Sequence, residues 1–168
     1  FQTAEYETAQ FLKNHVKDDE RVFVPGNYGF YLNYFTDIPQ LRGALFQSSV
    51  HYWPDHIYYQ IVTGDSPLIT LALLKISNTG WFVKSGPRDI YRDFEAKQDK
   101  FDEVLEFIEE KSGDRFYRVP LKDSSLVKVV PQSIVNIKEP VNAIDEPPIY
   151  EYVDALETAD EKLDFREI

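Results

Sequence analysis

The stretch from Arg21 to Gly43, RVFVPGNYGFYLNYFTDIPQLRG, restricts what this chain can fold into more than any other. Arg21-Val-Phe-Val24 is an apolar, β-favouring run of the length of a buried strand. Pro25-Gly26-Asn27 breaks it, and Tyr28 to Phe35 follows with apolar residues at helical spacing. A strand that runs into a glycine turn and then a helix places the turn at the strand's carboxyl edge, where open α/β sheets usually keep their sites. Asn27 and Gly29 are read as turn residues, because Asn and Gly accept positive φ cheaply. Ile38-Pro39-Gln40 leads into a second short segment that ends at Arg42 and Gly43.

The flanking segments support this centre. Thr3 to Val16 reads as an amphipathic helix with Thr3 as N-cap and Ala4, Tyr6, Ala9, Phe11, Leu12 and Val16 largely on one side. Pro54 suits the first position of a helix running to about Val62. Ser66 or Asp65 caps a strongly apolar helix from Pro67 to about Ser77, and Asn78-Thr79-Gly80 stops it before the strand Trp81 to Lys84. A helix followed at once by a buried strand occurs twice, which favours a small three-layer α/β domain with a mostly parallel sheet.

Arg88 to Glu95 is read as a short helix. Lys111-Ser112-Gly113-Asp114 is a turn signal and Arg115 to Val119 alternates like a strand. A β-hairpin is therefore expected near 104–119, with Val104 to Glu109 pairing with Arg115 to Val119. Leu126 to Val130 is read as a last short strand. From Pro131 onward, Pro140, Pro147 and Pro148 punctuate an extended segment with a helix from Ile149 to about Glu157. Residues 1–130 are thus read as the α/β domain, and 131–168 as an extended segment that leads into a following domain.

The chain has 168 residues, 43% hydrophobic and 15% aromatic, enough to bury a core without staples. It contains no Cys, which excludes a disulfide framework and thiolate metal sites. The net charge of −11 is uneven: residues 1–88 carry 8 acidic and 7 basic side chains, and residues 89–168 carry 21 and 11. An acidic body with no basic stripe repels phosphate backbones, so no nucleic-acid partner is expected. No apolar run approaches the roughly 18–20 residues of a membrane span, and no signal peptide is visible. The absence of Met and the opening on Phe1 in what reads as a helix suggest a piece of a longer polypeptide.

The aromatic cluster Tyr28, Phe30, Tyr31, Tyr34, Phe35, Tyr52, Trp53, Tyr58 and Tyr59 suits three roles: a sugar-stacking platform, a surface against the bilayer interface, or core filling. Tyr28, Tyr31 and Trp53 are the members expected at an exposed binding surface; Phe30 and Phe35 are expected in the core. His51, Asp55 and His56 place imidazoles beside a carboxylate, a workable general base or partial metal site. The spacing offers no third ligand and matches no zinc motif, so a structural role is preferred, and neither a metal nor a cofactor is expected. Arg42 is read as a salt-bridge partner before a ligand clamp. The acidic run from Asp89 lacks an Asp-x-Asp-x-Asp-Gly loop, and a solvated surface is the default.

Four series, TAEYETAQFLKNHVKDDERVFVPGNYGFYLNYFTDIPQLRG, GDSPLITLALLKISNTGWFVKSGP, GDRFYRVPLKDSSLVKVV and NAIDEPPIYEYVDALE, together cover most of residues 3–157. They resemble the soluble domain that follows the membrane helices in 6-pyruvoyl-tetrahydropterin-synthase-related polytopic membrane proteins, which are similar in layout to the GT-C glycosyltransferases. No zinc-binding histidine set of a pterin enzyme is present. The resemblance implies an extracytoplasmic domain whose partners are the membrane helices of the parent chain and a glycan or peptide acceptor. Its catalytic carboxylates would lie on loops outside this chain. The Tyr28-Gly29 turn is in a place similar to an acceptor-recognising aromatic-Asp-Tyr-Gly motif of oligosaccharyltransferases, but Gly26-Asn27 stands where that motif has Trp-Asp.

Three functions remain open at this level. The first is a non-catalytic extracytoplasmic domain of a membrane-embedded glycosyltransferase-like protein that positions acceptor or substrate. The second is a free-standing carbohydrate- or peptide-binding module using the aromatic turn, and the third is a hydrolase using His56 with Asp55. The candidate ligand-binding residues are Asn27, Tyr28, Gly29, Tyr31, Arg42, Trp53, Asp55 and His56.

Overall fold

In the computed structural model, Thr3 lies outside the first helix, α1 (Ala4–His15), and its hydroxyl accepts a hydrogen bond from the Tyr6 N–H, as an N-cap does. The structure describes residues 3–41, 53–88, 99–122, 124, 132–142 and 145–159. Strand β1 (Arg21–Phe23) follows, then helices α2 (Tyr28–Phe35), α3 (Trp53–Val62) and α4 (Pro67–Ile76). Ser66 is the cap of α4: its Oγ accepts from the Ile69 N–H at 3.2 Å, with Pro67 at the start of the helix where a missing N–H costs nothing. Strands β2 (Thr79–Lys84), β3 (Glu106–Lys111) and β4 (Asp114–Arg118), a 3₁₀ turn at Gln132–Asn136, and helix α5 (Glu146–Ala159) complete the described chain. The expected helix near Arg88 to Glu95 falls mostly outside the described residues, as does the expected strand Leu126 to Val130.

The four strands form one sheet in the order β1-β2-β4-β3. Only β1 and β2 are parallel, with Val22 opposite Trp81 and Phe23 opposite Phe82; β2–β4 and β4–β3 are antiparallel. The sheet is therefore mixed and mostly antiparallel, and the mostly parallel sheet expected from the sequence is corrected. The repeated helix-strand unit supplies one parallel pair. The second half of the sheet is a hairpin, whose short link can join only antiparallel strands.

That hairpin lies where the turn signal put it, in a different register. Ser112 and Gly113 both have positive φ, 55° and 90°, as a two-residue hairpin turn of the primed kind requires. Pairing starts immediately beside them, at Lys111 opposite Asp114, and ends at Glu106 opposite Arg118. Val104 and Leu105 consequently fall before the strand, in a turn that buries Phe101 and Leu105.

Helices cover both faces of the sheet. Trp81, Val83 and Phe116 pack with Ala4, Ala9, Phe11 and Leu12 of α1 and with Tyr28 and Leu32 of α2. The alternate residues Phe23, Phe82 and Tyr117 point the other way, into a core with Ile61, Val62, Leu74, Phe101 and Leu105. Every residue of β2 is buried, which accounts for the consecutive apolar residues Trp81, Phe82 and Val83 at its centre: a strand covered on both faces has no solvent side to encode. Helix α5 docks on α4 through Ile149 and Val153 against Ile69, Ala72 and Leu73. The outer edge of β1 is closed by a bridge from Val22 to Gln40.

Candidate functional site

Strand β1 delivers the chain to the sheet's carboxyl edge, and the turn there is made by Gly26, whose φ is +28°. Asn27 is helical in backbone, with φ −69° and ψ −21°, and Gly29 lies buried inside α2. Asn27 thus lies in the turn, as expected of it, with a helical backbone; Gly29 does not, and the positive φ falls on Gly26. The Gly26 N–H donates to the Tyr58 hydroxyl of α3 at 3.2 Å, which ties the turn to the opposite layer.

Helix α2 is apolar on both sides, so its sequence does not say which side faces the core. Tyr28, Gly29 and Leu32 are the buried residues. At about 100° per residue, Phe30, Tyr31 and Tyr34 gather on the opposite arc, and they are 47%, 43% and 82% exposed. Tyr28, expected at the exposed surface, is 2% exposed, and Phe30, expected in the core, is on the outside. Tyr31 stands where it was expected. Phe35 is partly buried against the α1 core and backs two of the outer rings. It stacks with Tyr31 at 6.5 Å between centroids and meets Tyr34 edge-on at 4.9 Å, while Tyr6 of α1 meets it edge-on at 5.1 Å. Beside this stripe the Gln40 amide donates to the Gly29 carbonyl at 3.1 Å and to the Asn33 side-chain oxygen at 2.7 Å.

The buried end of the same helix meets a polar centre that sequence reasoning missed. Asp114, fully buried at the start of β4, accepts from the Thr8 hydroxyl at 2.7 Å, the Tyr28 hydroxyl at 3.2 Å and the Gly86 N–H at 2.9 Å. It joins α1, α2 and the loop after β2 at one carboxylate. The only sequence signal for it was its place after Gly113, which reads as turn chemistry. A second buried carboxylate, Glu20, pairs with Arg118 and accepts from the Trp81 indole and the Lys17 N–H, both at 3.2 Å. Burial pushes the Glu20 carboxyl up, but Arg118 and these donors outweigh it and hold the group below its ordinary value.

On the other face, Asp102 accepts from Arg115 at 3.0 Å and from the Tyr117 hydroxyl at 2.8 Å. Burial and the bond to Asp102 both push the Tyr117 phenol well above its ordinary range. Lys84, buried at the end of β2, is held below its ordinary value by burial and by the neighbouring Arg115, against the pull of Asp102, Asp99 and Glu110. Glu20 and Asp102 sit in hydrogen-bonded ion pairs, with Arg118 and Arg115, and Asp114 is held by neutral donors; all three tie the sheet to its surroundings.

The remaining candidates lie elsewhere. Trp53, Asp55 and His56 occupy the first turn of α3, all partly buried, with the Trp53 and His56 rings 6.2 Å apart. Helix α3 packs on the face of the sheet opposite α2, as the contact of Tyr58 with Phe23 shows, so these residues and the α2 stripe belong to different layers. Arg42, His51 and Tyr52 lie outside the described residues. Among the described residues no group of three or more His, Cys, Asp or Glu is arranged to hold a metal, and no helix is long and apolar enough to cross a membrane. No family model, curated protein or solved structure matches this chain.

Proposed function

We propose that the chain is a non-catalytic extracytoplasmic domain of a polytopic, glycosyltransferase-like membrane protein, in which it positions an acceptor or substrate for chemistry carried by the membrane-embedded part. The observation that carries this reading is the α2 surface: three exposed rings on an eight-residue helix, two of which, Tyr31 and Tyr34, rest against Phe35. Such a surface binds and orients without reacting. The sequence resemblance to domains that follow membrane helices supplies the setting. The buried carboxylates Glu20 and Asp114 support a positioning role as well, since both are committed to hydrogen bonds that hold the fold. The test is the parent reading frame. Several hydrophobic spans preceding Phe1 are expected; a signal peptide with no span anywhere in the parent overturns the proposal in favour of a free-standing binding module.

A further inference from the structure

Strand β3 lies at the edge of the sheet with all six of its residues exposed, Phe107 and Ile108 among them. The opposite edge, along β1, is closed by the bridge from Val22 to Gln40, so β3 is the open edge among the described residues. The hairpin fixes which of its backbone groups face outward. Just past β4 the Val119 N–H donates to the Gly80 carbonyl of β2 at 3.0 Å. Backbone groups alternate sides along a strand, so those of Tyr117 and Arg115 turn to β2 as well, and those of Phe116 and Asp114 turn to β3. Phe107 and Glu110, opposite Tyr117 and Arg115, therefore exchange no hydrogen bond within the hairpin. Their N–H and C=O groups point away from β4, to the open edge. The bulge between Phe107 and Glu109 sets these two outward residues three positions apart instead of two.

We infer that β3 pairs antiparallel with β3 of a second copy of this chain, joining the two four-stranded sheets edge to edge. Such pairing sets outward groups opposite outward groups, which leaves three registers: Phe107 opposite Phe107, Glu110 opposite Glu110, or Phe107 opposite Glu110. The first two use only part of the strand, and the second sets two carboxylates face to face. The third uses all six residues. It makes two reciprocal pairs of main-chain hydrogen bonds and sets Glu106 of each copy opposite Lys111 of the other, with no carboxylate facing another. The faces agree as well. Glu106 and Lys111 lie opposite Arg118 and Asp114, on the α1 side of the sheet, while Phe107 and Glu110 share the other side. There the Arg115 guanidinium stands 4.7 Å from the Phe107 ring and 3.8 Å from the Glu110 carboxylate, so the Glu110 arriving beside Phe107 from the second copy meets a cation. A strand that opens on Glu and closes on Lys is its own charge complement when reversed, the self-complementary patch that a two-fold contact requires. One edge strand falls short of the roughly 800 Å² per partner of a stable complex, so the dimer is a weak, exchanging one. The contact is independent of the proposed function, since it uses the edge opposite β1 and α2.

The experiment is sedimentation velocity of this chain over concentrations up to about 1 mM. Salt at about 0.15 M confines the repulsion between two chains of net charge −11 to roughly 8 Å. A monomer–dimer equilibrium is expected. Glu106→Lys and Lys111→Glu each set like charges opposite at both ends of the contact, and each alone is expected to weaken the dimer roughly tenfold or more. The chain carrying both changes restores the pairs in the opposite sense and is expected to dimerise like the wild type. An equal mixture of the two single variants sets Lys opposite Glu at both ends and is expected to form a heterodimer. Glu110→Pro removes an outward N–H and no hairpin bond, and is expected to abolish dimerisation. Thermal melts of all variants check that the fold is kept. A chain that stays monomeric up to about 1 mM overturns the inference. So does a dimer that the single charge changes leave intact, or one that neither the double variant nor the mixture restores. Glu106→Lys and Glu110→Pro do not touch Asp114 or its partners. A dimer that survives both therefore overturns the inference even where Lys111→Glu lowers the melting temperature. None of these outcomes touches the number of membrane spans in the parent, so the two proposals fail separately.

Discussion

Removing the Asp114 carboxylate is expected to be among the most destabilising single changes in the described chain. Asp114→Ala strands three donors at once: the Thr8 hydroxyl, the Tyr28 hydroxyl and the Gly86 N–H. A hydrogen bond to a charged acceptor contributes about 1.5–3 kcal/mol, and a buried donor left unpaired costs about 1–3 kcal/mol. Water entering the vacated space and rotation of the two hydroxyls recover part of that. The expected loss is about 3–5 kcal/mol, a large share of the roughly 5–15 kcal/mol that holds a domain together.

Asp114→Asn separates charge from connectivity. Oδ1 accepts from both Tyr28 and Gly86, and Oδ2 from Thr8. An amide that keeps its oxygen at the first position retains two bonds, and its N–H can donate to the Thr8 hydroxyl, which then acts as acceptor. The cost should fall to about 1–2 kcal/mol. Thr8→Val and Tyr28→Phe are each expected to cost about 1–2 kcal/mol, with a coupling of at least roughly 0.5 kcal/mol in their double-mutant cycle. Urea unfolding followed by circular dichroism and by tryptophan fluorescence measures these as shifts of midpoint at constant slope. The reasoning is refuted if Asp114→Ala costs less than about 1 kcal/mol, or if Asn is as harmful as Ala.

Other outcomes follow from the same contacts. The Glu20 carboxyl is held below its ordinary value of 4.5, so the stability it contributes is present above that pH and is lost as pH falls through the lower folded value; Glu20→Gln should flatten the acid limb of a stability–pH curve, and an unchanged limb contradicts the assignment. Tyr117 is held above its ordinary value of 10.0, so its contribution is complete below that pH and is lost as pH rises toward the folded value. Tyr117→Phe should therefore remove part of the alkaline loss expected in urea midpoints above pH 10. A Cβ at Gly86 would lie 2.1 Å from the Gly113 carbonyl oxygen, so Gly86→Ala must separate the end of β2 from the hairpin turn; a loss of roughly 3 kcal/mol is expected, and a wild-type melting temperature contradicts it. Tyr34→Ser, at an 82% exposed position, should change stability by less than about 0.5 kcal/mol, which a thermal melt reads directly.

The sequence by itself determined the local elements. Thr3 and Ser66 as caps, the α4 helix, the buried β2 strand and the hairpin turn at Ser112-Gly113 were legible, because capping, periodicity and turn chemistry depend on residues a few positions apart. The helix near Ile149 was legible as well, although it begins at Glu146, since prolines at positions 147 and 148 fit a first helical turn. Tertiary structure alone decided the rest. The hairpin added β4 antiparallel beside β2 and made the sheet mixed, a choice between strands far apart in the chain. Asp114 became a hub through partners 28, 86 and 106 residues away. Most of all, the stretch from Tyr28 to Phe35 carries apolar residues on opposite sides, with Asn33 its one polar side chain, so the sequence supported a helix and left its orientation open. The packing of α1 against Tyr28 and Leu32 chose the inner face, and that choice put Phe30, Tyr31 and Tyr34 on the surface. A helix with one apolar face announces its core side in the sequence; a helix with two must wait for the neighbour that buries one of them.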